Sequence, residues 1–143
     1  LGTLMRTALA AGVGALWMGD GADPFQPKVL RASAGAALAL PLRRGSGLEL
    51  ERWLAAATAQ GWQVVVTLLP GAGPLPPQPY WQLDWTQPTV LLLGNEGAGV
   101  SLSLAALASQ RVTIPHSPAV ESLNVAVAAA PLLLERLRQR AGT

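Results

Sequence analysis

Residues able to do chemistry are scarce in this chain and gather in three stretches, each following an apolar run. They are Thr67-Leu68-Leu69-Pro70-Gly71, Gly94-Asn95-Glu96-Gly97-Ala98-Gly99, and Ile114-Pro115-His116-Ser117-Pro118-Ala119-Val120-Glu121-Ser122-Leu123-Asn124. The glycines at 94, 97 and 99 let the backbone approach a ligand and expose N–H groups that hold an anion or the polar rim of a purine. The same glycines also suit a plain turn between a strand and a helix. Their order is GxxGxG rather than the GxGxxG of a dinucleotide fingerprint, and the acidic residue that should follow such a fingerprint by about 20 positions is missing, which argues against an oxidoreductase. Glu96 either shapes a site or sits at the start of the next helix, where the dipole favours a carboxylate. The segment Ser117 to Glu121 reads as a helix start, with Ser117 as N-cap and Pro118 at the first helical position. Arg6 falls on an early helix, where an arginine is ordinarily solvated or ion-paired.

Composition narrows the classes. A chain of 143 residues is one domain's worth. Half of it is hydrophobic and 13% is charged, which excludes disorder and leaves apolar surface to spare for an oligomer. The chain has no cysteine, so it forms no disulfide, thiolate metal site or cysteine nucleophile, and it fits a reducing compartment such as the cytoplasm. Its single histidine, His116, cannot build a zinc site alone, and no metal is expected. Ten Lys and Arg against eight Asp and Glu is too small an imbalance to mark a nucleic-acid surface. Two basic clusters, Arg43-Arg44 and Arg136, Arg138 and Arg140, read as solvated faces or helix ends. The longest apolar runs fall short of the roughly 18 residues of a membrane span, so no membrane partner is expected. The chain starts Leu-Gly-Thr, with no initiator Met and no signal peptide, which suggests a piece of a longer protein.

The elements that must position these stretches follow from hydrophobic period and from glycine and proline stops. Helices are expected over 4–11, 28–37, 48–60, 101–109 and 122–140, and strands over 13–18, 38–42, 63–69, 89–93 and 111–114. The proline-rich segment 71–88 is expected to be an ordered loop without regular structure, because its tryptophans need cover. Pro131 argues against one unbroken final helix. Near-continuous apolar strands alternating with helices give an α/β fold, a mainly parallel sheet sandwiched by helices. In such sheets ligands sit beyond the carboxyl ends of the strands, where the three polar stretches fall.

Taken in order, LGTLMRTALAAGV, DPFQPKVLRASAGAALALPL, VLLLGNEGAGVS and VTIPHSPAVESLNVAVAAA resemble the motifs of the SpoU (TrmH) branch of the SPOUT RNA methyltransferases. The resemblance spans nearly the whole chain. It implies a C-terminal trefoil knot, S-adenosylmethionine as cofactor, and 2′-O-methylation of a ribose in tRNA or rRNA by a homodimer. It also implies that residues 1–143 are a SpoU-type methyltransferase domain without its first strand and without the RNA-recognition domain that many relatives carry. On the same resemblance, Gly94, Ile114 and Leu123 hold the adenosine mainly through backbone groups, and Leu68, Leu69 and Pro115 line its pocket. Glu96, Ser122 and Asn124 shape the site near the methyl group and the target nucleotide, and Arg6 stands beside the target phosphate and 2′-hydroxyl. A guanidinium is a poor proton acceptor, so Arg6 is weighted as phosphate clamp and oxyanion stabiliser above literal base. The other reading kept open is a catalytically silent SPOUT-like module that binds RNA or a nucleotide.

Overall fold

The computed structural model describes residues 1–19, 23–94 and 99–142. In chain order its elements are α1 (Gly2–Ala10), β1 (Leu16–Met18), α2 (Pro27–Ser33), α3 (Ala36–Ala39), β2 (Leu42–Arg44), α4 (Gly47–Ala59), β3 (Gln63–Thr67), β4 (Gln78–Pro79), β5 (Thr89–Leu92), α5 (Leu102–Ala105), β6 (Gln110–Thr113) and α6 (Val125–Ala141). Every strand pairing is parallel. β1 pairs with β2, and the larger sheet runs β4-β6-β3-β5.

The central strand explains the arrangement. β3 is flanked by β5 and β6, with Val65 opposite Leu91 on one side and Gln110 on the other, and its run Val64, Val65 and Val66 is fully buried. A strand covered on both faces needs such a continuous β-branched run. Its side chains alternate between two cores. Val65 packs with Val112, Trp85 and Leu132 of α6, whereas Val64 and Val66 pack with Leu54 of α4 and Leu92. The sheet is therefore sandwiched by helices, as the sequence pattern predicts. A third cluster, built on Met5, Ala8, Ala36, Ala37 and Leu40, joins α1 to α3, and α1 also packs on α2 and α6. Gly2 permits the close approach of α1 to α2, because a Cβ there would lie 2.6 Å from the Cβ of Ala32.

Several local expectations are corrected. The helix expected over 28–37 breaks at Ala34 and Gly35, both left-handed, with φ 51° and 88°. The buried Ser33 hydroxyl donates to the Leu30 carbonyl at 3.0 Å and accepts from the Ala37 N–H at 3.4 Å, so it ends one helix and helps hold the next. α3 then takes residues assigned to a strand, and β2 starts only after Pro41. Within the proline-rich segment, Gln78–Pro79 form an edge strand on β6, where a missing N–H is tolerated, and Tyr80–Gln82 make a 3-10 turn. The final helix begins at Val125 rather than 122 and passes through Pro131 without a break. The carbonyl that loses its partner to that proline belongs to Val127, an exposed residue that water can serve.

The proline-rich segment is bolted to α6. Trp85 is buried, its N–H donates to Gln139 Oε1 at 2.8 Å, and its indole N–H donates to the Tyr80 carbonyl at 2.8 Å. Gln139 Nε2 returns a bond to the Leu83 carbonyl at 2.9 Å, and Arg136 donates to the carbonyls of Trp85 and Gln87. Arg136 is thus a partly buried clamp, not a solvated charge, and burial followed by the nearby Arg140 pulls its pKa below the ordinary value. Glu135 completes the network, accepting from Arg138 at 2.7 and 2.9 Å and from Gln139 at 3.0 Å.

Those bonds, from Arg138 first and Gln139 next, lower the Glu135 pKa from 4.5 to about 2. The stability its carboxylate confers is whole above pH 4.5 and is lost as the pH falls from there through about 2. The difference in urea midpoint between the parent chain and Glu135→Gln should therefore be largest near neutral pH and shrink across that window. A difference that does not change with pH would show that ionisation of this group is not what stabilises the fold.

Candidate functional site

β3, β5 and β6 end side by side, and a cleft of about 740 Å³ opens beyond their carboxyl ends. Thr67, Leu68, Leu69 and Ala72 line it from the end of β3, and Leu93, Gly94, Gly99 and Val100 line it from the end of β5. Thr113, Ile114 and His116 contribute from β6, and Glu121 to Val125 with Ala128 close it from the approach to α6. Seven of the residues singled out in the sequence thus meet in one place: Leu68, Leu69, Gly94, Ile114, Ser122, Leu123 and Asn124. Glu96 lies outside the described residues. Pro115 and Arg6 are both exposed and do not line the cleft. A smaller apolar cavity of about 370 Å³ lies between β1 and β5 and shares Leu93, Gly94 and Val125 with the cleft; Arg6 lines neither.

Each lining residue is held for a local reason. A Cβ on Gly94 would lie 2.3 Å from the carbonyl carbon of Gly99 and 2.5 Å from the Val100 nitrogen, so only glycine lets the chain leave β5 and pass this close to its own return. Gly99 supports that return with a φ of +69°. The need for Gly94 is therefore first a backbone crossing, where the sequence suggested approach to a ligand. Ser101 then caps α5, accepting from the Leu104 N–H at 3.4 Å.

On the other wall, Ser117 does not cap a helix. Its hydroxyl accepts from the Ala119 N–H at 3.2 Å in a local turn, and the cap of α6 is Asn124, whose Oδ1 accepts from the N–H groups of Ala126 and Val127 at 2.9 and 3.4 Å. The helix start that the residue types announce is real but lies seven residues further on. His116 Nδ1 is 2.8 Å from the Ile114 carbonyl. A carbonyl only accepts, so Nδ1 carries the proton in that bond. Thr67, His116 and Glu121, which lie in the stretches singled out in the sequence but were given no site role there, also line the cleft, as does Thr113, which lay outside those stretches. Adjacency to Ile114 at a strand end is the signal that would have found Thr113.

The arrangement is an apolar slot with few polar groups. Leu68, Leu69, Ile114 and Leu123 supply walls for a flat ring, and among the described lining residues Glu121 is the one carboxylate. Thr113 is 5% exposed and its Oγ1 has no hydrogen-bond partner among the described residues. Size, apolar walls and sparse polar groups suit a nucleoside-sized ligand such as the adenosine of S-adenosylmethionine.

Because its side-chain oxygen is committed to α6, Asn124 has a structural duty that must be separated from any role in chemistry. Asn124→Ala should lower the unfolding free energy by about 1 kcal/mol, whereas Asn124→Asp, which keeps an accepting oxygen, should hold it within a few tenths. Chemical denaturation distinguishes the two, and equal losses would contradict the capping role.

Comparison with known proteins bears on the same residues. The profile of the SpoU rRNA Methylase family matches residues 1–134. An uncharacterized tRNA/rRNA methyltransferase of Synechocystis is 41% identical over 143 residues, covering 98% of this chain and 49% of that protein. A 23S rRNA guanosine 2′-O-methyltransferase of Bacillus subtilis is 38% identical over 134 residues, covering 93% of this chain and 51% of its own. Among solved structures, the SpoU methyltransferase AviRb of Streptomyces viridochromogenes, in complex with the cofactor AdoMet, superposes with a TM-score of 0.86 at 36% identity, over 99% of this chain and 56% of that one. The chain spans about half the length of the curated relatives it matches.

Proposed function

We propose a function from one premise: this chain belongs to the SpoU rRNA methylase family. The protein methylates the 2′-hydroxyl of a ribose in rRNA or tRNA with S-adenosylmethionine as methyl donor. The observation that carries this reading is the cleft itself, in which seven residues carried over from the family motifs converge beyond three parallel strands. Two similar proteins, from Bacillus subtilis and Streptomyces viridochromogenes, are named as 23S rRNA 2′-O-methyltransferases, which supports RNA as the substrate class. The reading carries with it the cytoplasm, where those RNAs are found, and the C-terminal trefoil knot of the family. The close crossing of Gly94 and Gly99 is the kind of backbone contact that a threaded loop requires.

The cofactor, when bound, supplies a methyl group on a sulfonium, already electrophilic enough to need no metal. The chain's own tasks are then binding, orientation and relief of the hydroxyl proton. Leu68, Leu69, Ile114 and Leu123 wall the adenine and exclude water from it, and backbone groups at Gly94, Ile114 and Leu123 orient the adenosine. Ser122 and Asn124 border the end of the cleft where α6 begins, and Asn124 acts there through the position it gives that helix end. Glu96 is assigned with them on the motif alone. Arg6 clamps the target phosphate and stabilises the developing oxyanion.

Arg6 stands outside the cleft of its own chain, and a site shared across a two-fold axis accounts for that. A homodimer also covers the exposed apolar side of α6, on which Val127 and Leu134 are one heptad apart, with Leu137 beyond them. Full-length protein should sediment as a dimer, and a monomer at micromolar concentration would remove this part of the reading.

The direct test is to map 2′-O-methyl groups in rRNA and tRNA with and without the gene. Loss of one site is expected, and no change in either RNA class would reject the function. In the purified full-length protein, Arg6→Ala should slow transfer by about a hundredfold or more while calorimetric affinity for S-adenosylmethionine stays within about twofold. If the protein holds RNA with cofactor present and leaves it unmethylated, it is a silent binding module instead.

A further inference from the structure

We propose that Arg111 is a positioning residue for cofactor binding, pinning to β6 the segment after β3 that carries Leu68, Leu69 and Ala72 of the cleft wall. The role rests on the cofactor reading above and adds to it a residue that neither lines the cleft nor belongs to the motif stretches.

β3 and β4 lie on opposite sides of β6, so residues 68–77 must cross β6 to pass from one to the other. The start of that crossing is tied into the sheet, because the Leu68 N–H donates to the Val112 carbonyl at 2.9 Å. A tight turn follows at once. The Ala72 N–H donates to the Leu69 carbonyl at 3.1 Å, with Pro70 in the first central position and Gly71 in the second at φ +72°, the pattern of a type II turn. Beyond the turn, Pro74, Pro76 and Pro77 have no N–H to give, and the strand ladder resumes only where Gln78 pairs with Val112. A stretch so poor in backbone donors is held through its carbonyls.

Arg111 supplies such a hold. It stands opposite Val66 in the sheet, on the face where Leu68 packs with Val66 and Leu54. Its Nε donates to the Leu75 carbonyl at 3.2 Å, and its Nη2 lies 3.2 Å from the point where a Cβ on Gly73 would stand. The guanidinium therefore lies against the chain at both Gly73 and Leu75. Leu68, Leu69 and Ala72 are carried between two ties to β6, a backbone bond at one end and the Arg111 side chain at the other. Releasing the second tie frees the wall to shift without touching a group that contacts the ligand.

Arg111→Met keeps the alkyl stem and removes the donor. In the full-length protein it should bind S-adenosylmethionine about fivefold more weakly by calorimetry, the net worth of one such hydrogen bond. Transfer of a tritiated methyl group to rRNA and tRNA from cells lacking the gene gives the kinetic counterpart. The KM for S-adenosylmethionine should rise, the KM for RNA should not move, and kcat should stay within about twofold, the pattern of lost binding without lost chemistry. Arg111→Lys, whose ammonium still donates, should recover most of the affinity.

A lowered unfolding midpoint with unchanged cofactor affinity would make Arg111 a structural residue and overturn the proposal. A raised KM for RNA at unchanged cofactor affinity would make it a phosphate contact and overturn it as well. Failure of Arg111→Lys to recover affinity would contradict the assignment to the Leu75 bond. Failure of the parent protein to bind S-adenosylmethionine would reject the cofactor reading itself, whereas a parent and a Met variant that bind equally well would reject the role of Arg111 alone.

Discussion

The backbone crossing at Gly94 is the constraint on which the rest of the site depends. Carbon beyond Cα is excluded there, because the returning chain at Gly99 and Val100 already occupies the space. That single close approach brings the end of β5 against the start of α5. It also makes Gly94 a shared wall of the cleft and of the smaller cavity toward β1. Gly94 is thus first a packing device, and its place in the cleft wall follows from that packing.

α6 is the second organiser, and it works through polar side chains. Asn124 fixes where it starts, and Arg136 and Gln139 fasten it to the carbonyls of the proline-rich segment, with Glu135 holding Gln139 and Arg138 from the same side. The buried Trp85 transmits that attachment to Val65 and Val112 in the sheet. The cleft's far wall, from Glu121 to Asn124, hangs from the N-terminal end of this fastened helix. Substitutions at such positions act on the wall's placement before they act on any ligand, so loss of activity at Asn124 is not in itself a sign of chemistry.

Division of labour within the proposed enzyme follows from the same geometry. The residues proposed to hold the cofactor line one cleft, mostly at the ends of strands paired in a buried sheet, an arrangement that suits accurate orientation of a reactive methyl group. Arg6 is carried on α1, at the surface, outside that cleft. In the proposed reading, cofactor binding and substrate clamping fall to different parts of the fold, which agrees with the distance in sequence between Arg6 and the cleft residues.

Much of this was legible in the residues. The alternation of helices with continuous apolar strands determined the sandwiched parallel sheet, because β-branched runs such as Val64 to Val66 are stable only when both faces are covered. The order of the motifs likewise identified the family and seven of the cleft residues. What periodicity cannot report is a contact between segments distant in sequence. The break at Ala34 depends on a buried serine bonding across two helices, and the strand at Gln78–Pro79 exists only because an edge of β6 was open to it. Arg136 reads as surface charge until the Trp85 and Gln87 carbonyls close around it, and Pro115 reads as a pocket wall until the loop leaves it exposed. The Thr113 hydroxyl, which has no partner among the described residues, belongs to the same class. Whether a polar group is satisfied is decided by what the fold brings within 3 Å of it, and that is a property of the tertiary structure alone.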